Sequence, residues 1–468
     1  MRRRHAVLIS IPAIIAVVAF AGSRAAQPAA RPALGFIAKV VCSNIFVGNV
    51  TRDQALADLP DEPIARLVRT DIDTDARIVA ASIPFVAKRR AAYREGLGCT
   101  LLPATTLPSP PAGLPADGVA PVTTGIDEDS STRATGRSTR LDAVVADAFT
   151  EPDPEAARRT RAIVIVHHGR IIAERYADGY GPDNRFTGWS MTKSVMNALV
   201  GILIAEDALH LQAGGLRPEW RAPEDPRGEI TLHDLLTMSS GLGFDESYTP
   251  TGAATRMLFD AHDAAAVAAA SALVHEPGTA WSYSSATTNI VSALLRASFS
   301  THEEYVAFPR RALFDRIGMR SAVLEPDPSG TFVGSSFMFA TARDWARFGL
   351  LFLNDGTWNG ERILPEGWVE YSVTPAAAAP LGQYGAHWWL NAGEAADSTR
   401  RVWPALPRDI FWASGFEGQY VAIVPSHDLV VVRLGVTSND QAWRLGTFLG
   451  DVLDAINVAN DDGGSDQL

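Results

Sequence analysis

The residues best suited to chemistry are Ser190 and Lys193, in the stretch Trp189-Ser190-Met191-Thr192-Lys193 directly ahead of a long apolar run. The chain carries only three lysines, Lys39, Lys88 and Lys193, among its 41 basic residues. Arginine stays protonated, whereas a buried lysine can release its proton and act as a base. A serine hydroxyl is a weak nucleophile until a base stands beside it. Positions i and i+3 share one face of a helix, so a helix opening at Ser190 sets that hydroxyl against the Lys193 amine. The positive end of the same helix favours an oxyanion forming there. An N-cap serine followed by a surface lysine fits the same residues, so the pair needs support from elsewhere.

Two segments supply it. Trp281-Ser282-Tyr283-Ser284-Ser285 stands just before an apolar helical stretch and puts a phenol at a helix entrance. Phe411-Trp412-Ala413-Ser414-Gly415-Phe416 reads as a strand ending in a turn, which can offer a backbone N–H to a substrate carbonyl. Core packing of Tyr283 and an ordinary strand-and-turn are the plainer alternatives. Trp189, Trp388, Trp389 and Trp412 lie near these segments and could line an apolar cleft or simply fill the core. His167, His168 and His387 lack the spacing and carboxylate partners of a metal site, so neither a metal nor another cofactor is expected.

The elements that must hold these groups are legible in outline. Ala162–Val166 and Ile171–Tyr176 flank His167-His168-Gly169-Arg170 and read as a hairpin. Ser190–Leu209 reads as a buried helix, with Gly201 marking a close contact. From about Thr231 to Phe352 the chain is mostly helical. Strands return at Phe411–Phe416, Tyr420–Pro425 and Leu429–Leu434, and a helix spans about Asp440–Asn457. Strands at both ends with helices between them predict one α/β layer arrangement with a helical insertion.

Ahead of this body, residues 34–102 read as a small module in which Ala65–Arg69 and Arg77–Ala81 form paired strands. Residues 103–140, rich in Pro, Ser and Thr, read as a linker, and 459–468 as a disordered tail. Residues 1–26 begin with Arg2-Arg3-Arg4, continue as an apolar stretch and end in small residues. That is the pattern of a cleaved export signal or of a membrane anchor. Both predict a body outside the cytoplasm. Cys42 and Cys99, the only cysteines, would pair in an oxidising compartment, two separate buried thiols being the alternative. A net charge of −12 argues against nucleic acid as a partner.

Ser190-x-x-Lys193, Tyr283-Ser284-Ser285 and Ala413-Ser414-Gly415, in that order, resemble the penicillin-recognising serine hydrolases related to class C β-lactamases. His233–Leu242 and Ser335–Trp345 resemble the 6-aminohexanoate-dimer hydrolase-like branch. The resemblance covers about Asp142 to Asn457. It implies a β-lactamase-like fold, with an antiparallel sheet flanked by helices and a helical subdomain over residues 141–458. It implies Ser190 as the acylated nucleophile, Lys193 and Tyr283 as its bases, and the N–H groups of Ser190 and Phe416 as the oxyanion hole. Tyr248, Ser285, Ser414, Gly415, Trp189 and Trp412 would meet the substrate, a small amide or ester. Ser285 stands where the family often has asparagine. Ala413 stands where β-lactamases have lysine and many esterases have histidine, so a cation for a substrate carboxylate is missing. A cell-wall DD-peptidase and a catalytically silent binding protein of the same fold are the other functions compatible with these motifs.

Overall fold

The structure, a computed structural model, describes residues 11–59, 67–102, 139–153, 156–437 and 442–463 of the 468. Nearly all of the expected linker, the end of the tail and the first ten residues lie outside them.

A single helix, α1 (Ile11–Phe46), runs through the end of the expected export segment and into the module. After a short helix α2 (Arg52–Ala57), four strands follow: β1 (Arg69–Asp73), β2 (Ile78–Ile83), β3 (Ala87–Arg94) and β4 (Gly98–Leu101). They form an antiparallel meander in chain order. β1 begins at the last residue of the first expected strand, Ala65 and Arg66 lying outside the described residues, and β2 begins one residue after the expected start at Arg77. Asp73 Oδ1 accepts the N–H groups of Asp75 and Ala76, and Arg77 takes a φ of 50°, so the turn takes in Arg77, the position expected to open the second strand.

Leu34, Ile37, Ala38, Val41 and Cys42 follow helical spacing on one face of α1 and bury against Val79, Ala81, Ala91, Cys99 and Leu101 of the sheet. Cys42 and Cys99 form a disulfide with Cα atoms 6.0 Å apart, the expected pairing. In the chain-entropy model a loop of this size stabilises the fold by about 4 kcal/mol. The segment Ala26–Phe46 is apolar and long enough to cross a bilayer by length and composition alone, yet 56% of its apolar 18-residue window is buried inside the protein. Its opposite face meets the body: Phe36 and Val40 pack against the main core, and Lys39 forms a buried ion pair with Glu325.

The body is built on a six-stranded sheet in the order Trp389–Leu390, Phe411–Gly415, Gln419–Val424, Leu429–Gly435, β5 (Thr160–His167), β6 (Arg170–Tyr176), antiparallel throughout. The first and last parts of the body therefore close one sheet around the helical middle, as the order of elements predicts. Period-two alternation divides the strands between two cores. Ala162, Val164, Val166, Val430 and Val432 face the large core shared with the helices α4 (Thr192–Ala205), Ser285–Ala297 and Ala342–Leu353. Ile163, Ile165, Val431 and Trp412 face a second core with α3 (Thr139–Asp147) and the helix Leu445–Gly463. α4 ends earlier than expected, because Asp207 turns to a φ of 60° just after Glu206. Val195, Leu199 and Leu203 are almost wholly buried, worth about 1.5–3 kcal/mol each. At Gly201 a Cβ would lie 2.5 Å from the Trp368 indole nitrogen, the close contact the sequence marks.

Candidate active site

Ser190 lies in a 3-10 turn, Trp189–Met191, that runs directly into α4. Trp189 adopts a φ of 44°, a left-handed backbone that a bulky residue rarely takes. The turn is held by neighbours: Thr192 Oγ1 donates to the Trp189 carbonyl at 2.7 Å, and Gly188 N–H donates to the Met338 carbonyl at 2.8 Å. The Trp189 ring is packed among Phe36, Phe337 and Phe416. It is thus buried next to Ser190 rather than exposed as the wall of an apolar cleft.

Lys193 is 1% exposed. Its Nζ donates to Ser190 Oγ at 2.9 Å, to Ser285 Oγ at 3.0 Å and to the Ser335 carbonyl at 3.1 Å. Three contacts occupy the three N–H donors of an ammonium; as a free amine the nitrogen would accept from one hydroxyl. The Ser335–Trp345 stretch and the Ser-Ser of the second motif thereby meet at one nitrogen.

Tyr283 meets this group differently from the sequence expectation. Lys193 Nζ lies 4.8 Å from the centre of its ring, and among the described residues no hydrogen bond joins the Tyr283 hydroxyl to Ser190 or Lys193. The ring is fixed by stacking on Trp389 at 5.4 Å and by an edge contact with Tyr384 at 6.0 Å. The loop is anchored by the His233–Leu242 stretch, where Met238 accepts the Ser282 N–H through its carbonyl at 2.8 Å and the Ser284 N–H through its sulfur at 3.4 Å.

Sequence reasoning passed over Glu246. Its carboxylate accepts the Ser285 hydroxyl at 2.5 Å, the Ser285 N–H at 2.7 Å and the Tyr248 hydroxyl at 2.8 Å. Tyr248 in turn stands 3.2 Å from Ser285 Oγ. One polar chain therefore runs from Ser190 through Lys193 and Ser285 to Tyr248 and Glu246. Burial of its hydroxyl end and the neighbouring Glu246 push the Tyr248 phenol well above its usual range, although 46% of the residue's surface is exposed.

The third motif lies alongside. A Cβ at Gly415 would be 2.2 Å from the Gly188 carbonyl oxygen, so only glycine lets the end of the strand approach the turn that carries Ser190. Phe416 follows, half exposed, with its ring 5.8 Å from Trp189 and stacked 6.2 Å from Tyr248. Ser414 pairs with Tyr420 in the sheet and stays partly exposed. Trp412 points into the second core against Trp403 at 4.3 Å, and stacks on Trp389 at 6.3 Å. His387 is buried with both ring nitrogens engaged, by the Lys193 carbonyl at 2.9 Å and Thr288 Oγ1 at 3.2 Å; burial lowers its pKa to about 3. His168 pairs with Asp428 at 2.8 Å.

A two-faced antiparallel sheet with a serine–lysine pair at the mouth of a buried helix is the arrangement of the beta-lactamase-fold serine hydrolases. The Beta-lactamase family model matches residues 145–444, and the chain belongs to that family. It is similar to the 6-aminohexanoate-dimer hydrolase of Paenarthrobacter ureafaciens, at 25% identity over 324 residues, 63% of this chain and 77% of that one. In fold it is similar to a family VIII carboxylesterase, with a TM-score of 0.51 at 14% identity over 69% of this chain and 97% of that one. It is likewise similar to a penicillin-binding protein homologue from Caulobacter crescentus, with a TM-score of 0.51 at 15% identity over 69% and 97%.

Proposed function

We propose that this protein hydrolyses a small amide or ester through an acyl-enzyme on Ser190. The observation that carries this reading is the Lys193 nitrogen 2.9 Å from Ser190 Oγ inside a buried polar chain. In the first step the Ser190 proton passes to the Lys193 amine while Oγ bonds to the carbonyl carbon. The carbonyl oxygen takes up the negative charge between the N–H groups of Ser190 and Phe416. Collapse expels the amine or alcohol, which takes a proton relayed from Lys193 by Tyr283 or Tyr248. Water then attacks the acyl-enzyme and restores Ser190. The exposed Tyr248–Phe416 pair supports an apolar substrate flank. Ala413 is buried and brings no cation, which favours a neutral amide or ester over cell-wall peptides or penicillin.

A fluorophosphonate is expected to label Ser190, and Ser190→Ala, but not Ser414→Ala, should lose both labelling and p-nitrophenyl butyrate hydrolysis. A wild-type protein that is neither labelled nor active would instead indicate a silent binding scaffold. Gly415→Ala should lower kcat by about 10²-fold by pushing the Phe416 N–H away from the nucleophile turn; an unchanged kcat would remove Phe416 from the oxyanion hole.

We also infer an extracytoplasmic location, supported by the basic-then-apolar start and the Cys42–Cys99 disulfide. Mass spectrometry of the native chain tests it. An oxidised chain from the extracytoplasmic fraction is expected, and a reduced chain in the cytoplasm would overturn it.

A further inference from the structure

Glu417 has no part in the steps above. It stands one residue beyond Phe416, in a turn whose backbone is fixed at positive φ, 61° at Glu417 and 80° at Gly418. That strained shape is enforced from several sides. Gln419 Nε2 donates to the carbonyls of Phe416 and Glu417 at 3.0 and 3.2 Å. Arg433 Nη1 donates to the carbonyls of Gly418 and Glu417 at 2.7 and 3.3 Å. Thr437 N–H donates to the Glu417 carbonyl at 3.0 Å.

So fixed, the Glu417 side chain turns inward, and its Oε2 accepts the indole N–H of Trp189 at 3.3 Å. It lines a cavity of about 50 Å³, large enough to admit water, between the body and the amino-terminal module. Phe36, Val40 and Asn44 of α1 close one side, and Thr187 and Trp189 the other. The charged and titratable groups around it are Asp58 at the end of α2, Arg159 and Arg161 at the start of β5, Tyr180, Arg185, and Arg433 from the sheet. Asp58 is already bound by Arg159 and Arg161 at 2.9 and 2.7 Å. No cation in this set pairs with the Glu417 carboxyl itself among the described residues. Trp189 is the residue before the nucleophile, and its ring lies against Phe416.

We propose that Glu417 is a positioning residue for the oxyanion hole: by holding the Trp189 indole N–H, its carboxyl ties the turn that carries the Phe416 N–H to the turn that carries Ser190. This role presupposes the acyl-enzyme chemistry proposed for Ser190. It makes the fit of the hole sensitive to the charge on Glu417, because an ionised carboxylate is a stronger acceptor than a neutral acid. Burial pushes this group up to about 7, the Trp189 bond opposing. The bond therefore tightens as pH rises through neutrality, and the amino-terminal module, by walling the cavity, helps set where that happens.

The test is the pH dependence of p-nitrophenyl butyrate hydrolysis and of Ser190 labelling by a fluorophosphonate, between pH 5.5 and 8.5. Wild type, Glu417→Gln, Trp189→Phe and the double variant are compared. At pH 8 each single variant should lose about 5-fold in kcat with KM little changed, since the interaction serves the transition state. The double variant should lose no more than either single one. An ionisation near neutrality seen in wild type should vanish from all three. A second readout does not need activity. A carboxyl whose folded pKa lies above its ordinary value of 4.5 contributes stability that is lost as pH rises through about 7. Glu417→Gln should therefore melt higher than wild type at pH 8, with the difference shrinking toward pH 5. If wild type neither hydrolyses nor labels, the acyl-enzyme reading fails and this role with it. If wild type is active and Glu417→Gln keeps both its kcat and its pH profile, Glu417 is no positioning residue and only this inference falls.

Discussion

Lys193→Arg is expected to lower kcat by about 10³-fold or more, equal to about 4 kcal/mol of transition-state stabilisation. The amine is 1% exposed and touches two hydroxyls and one carbonyl. Of these, only the Ser335 carbonyl is an obligate acceptor. A guanidinium could satisfy it and remain charged, but could never take the Ser190 proton. Because arginine is also larger, Lys193→Ala provides the cleaner comparison. It should be equally inactive, retain the circular dichroism of the wild type, and recover part of its turnover when a small alkylamine is supplied. The recovered rate should follow the free-base concentration of that amine. Wild-type turnover in Lys193→Arg, or an alanine variant indifferent to added amine, would remove the base role from this residue and leave Tyr283 or Tyr248 to account for it.

The pair was legible because a three-residue spacing on a helix is a local property, and α4 forms from its own apolar periodicity. The hairpin of β5 and β6 and the last three strands were legible for the same reason, since alternation and turns are written within ten residues or so. What escaped reading depends on distant partners. The Tyr283 phenol was expected to point at the nucleophile, yet stacking on Trp389 and Tyr384, about a hundred residues further on, presents its ring to Lys193 instead. Glu246 and Glu417 lie in loops without periodicity, where nothing marks one carboxylate above its neighbours. The strand β3 carries Lys88, Arg89 and Arg90, which mask it as a surface loop, although Ala91 on it is wholly buried. Hydropathy described α1 correctly as apolar, but composition does not say whether lipid or protein covers a helix. Here the module sheet and the body cover the stretch from Leu34 onward on two sides.

That burial places a buried ion pair between α1 and the body, and Glu325→Ala is expected to destabilise the protein by about 3–5 kcal/mol. Glu325 is wholly buried and Lys39 is 3% exposed. Beyond its ion pair with Lys39, the carboxylate accepts the Ser43 hydroxyl at 2.9 Å and the Cys99 N–H at 2.6 Å. One side chain from the body therefore gathers α1 and β4, the two elements the disulfide also joins. Lys39 has alternative company in Ser43 Oγ at 2.9 Å and in the face of the Phe337 ring at 4.2 Å, but neither carries a charge. Removing Glu325 thus strands a buried ammonium and a backbone donor together, which costs more than the pair contributed. Lys39→Met removes only the cation and leaves the carboxylate two donors, so its cost should be smaller. In Lys39→Met/Glu325→Leu no buried charge is left unpaired, and the double variant should be more stable than Glu325→Ala despite losing more polar contacts. Urea unfolding reads the difference, provided m stays constant across the variants. Glu325→Ala within about 1 kcal/mol of wild type would mean that the apolar packing of Phe36 and Val40 and the other ion pairs, Arg31 with Asp260 among them, suffice to dock the module. The ion pair would then be a consequence of that docking and not its cause.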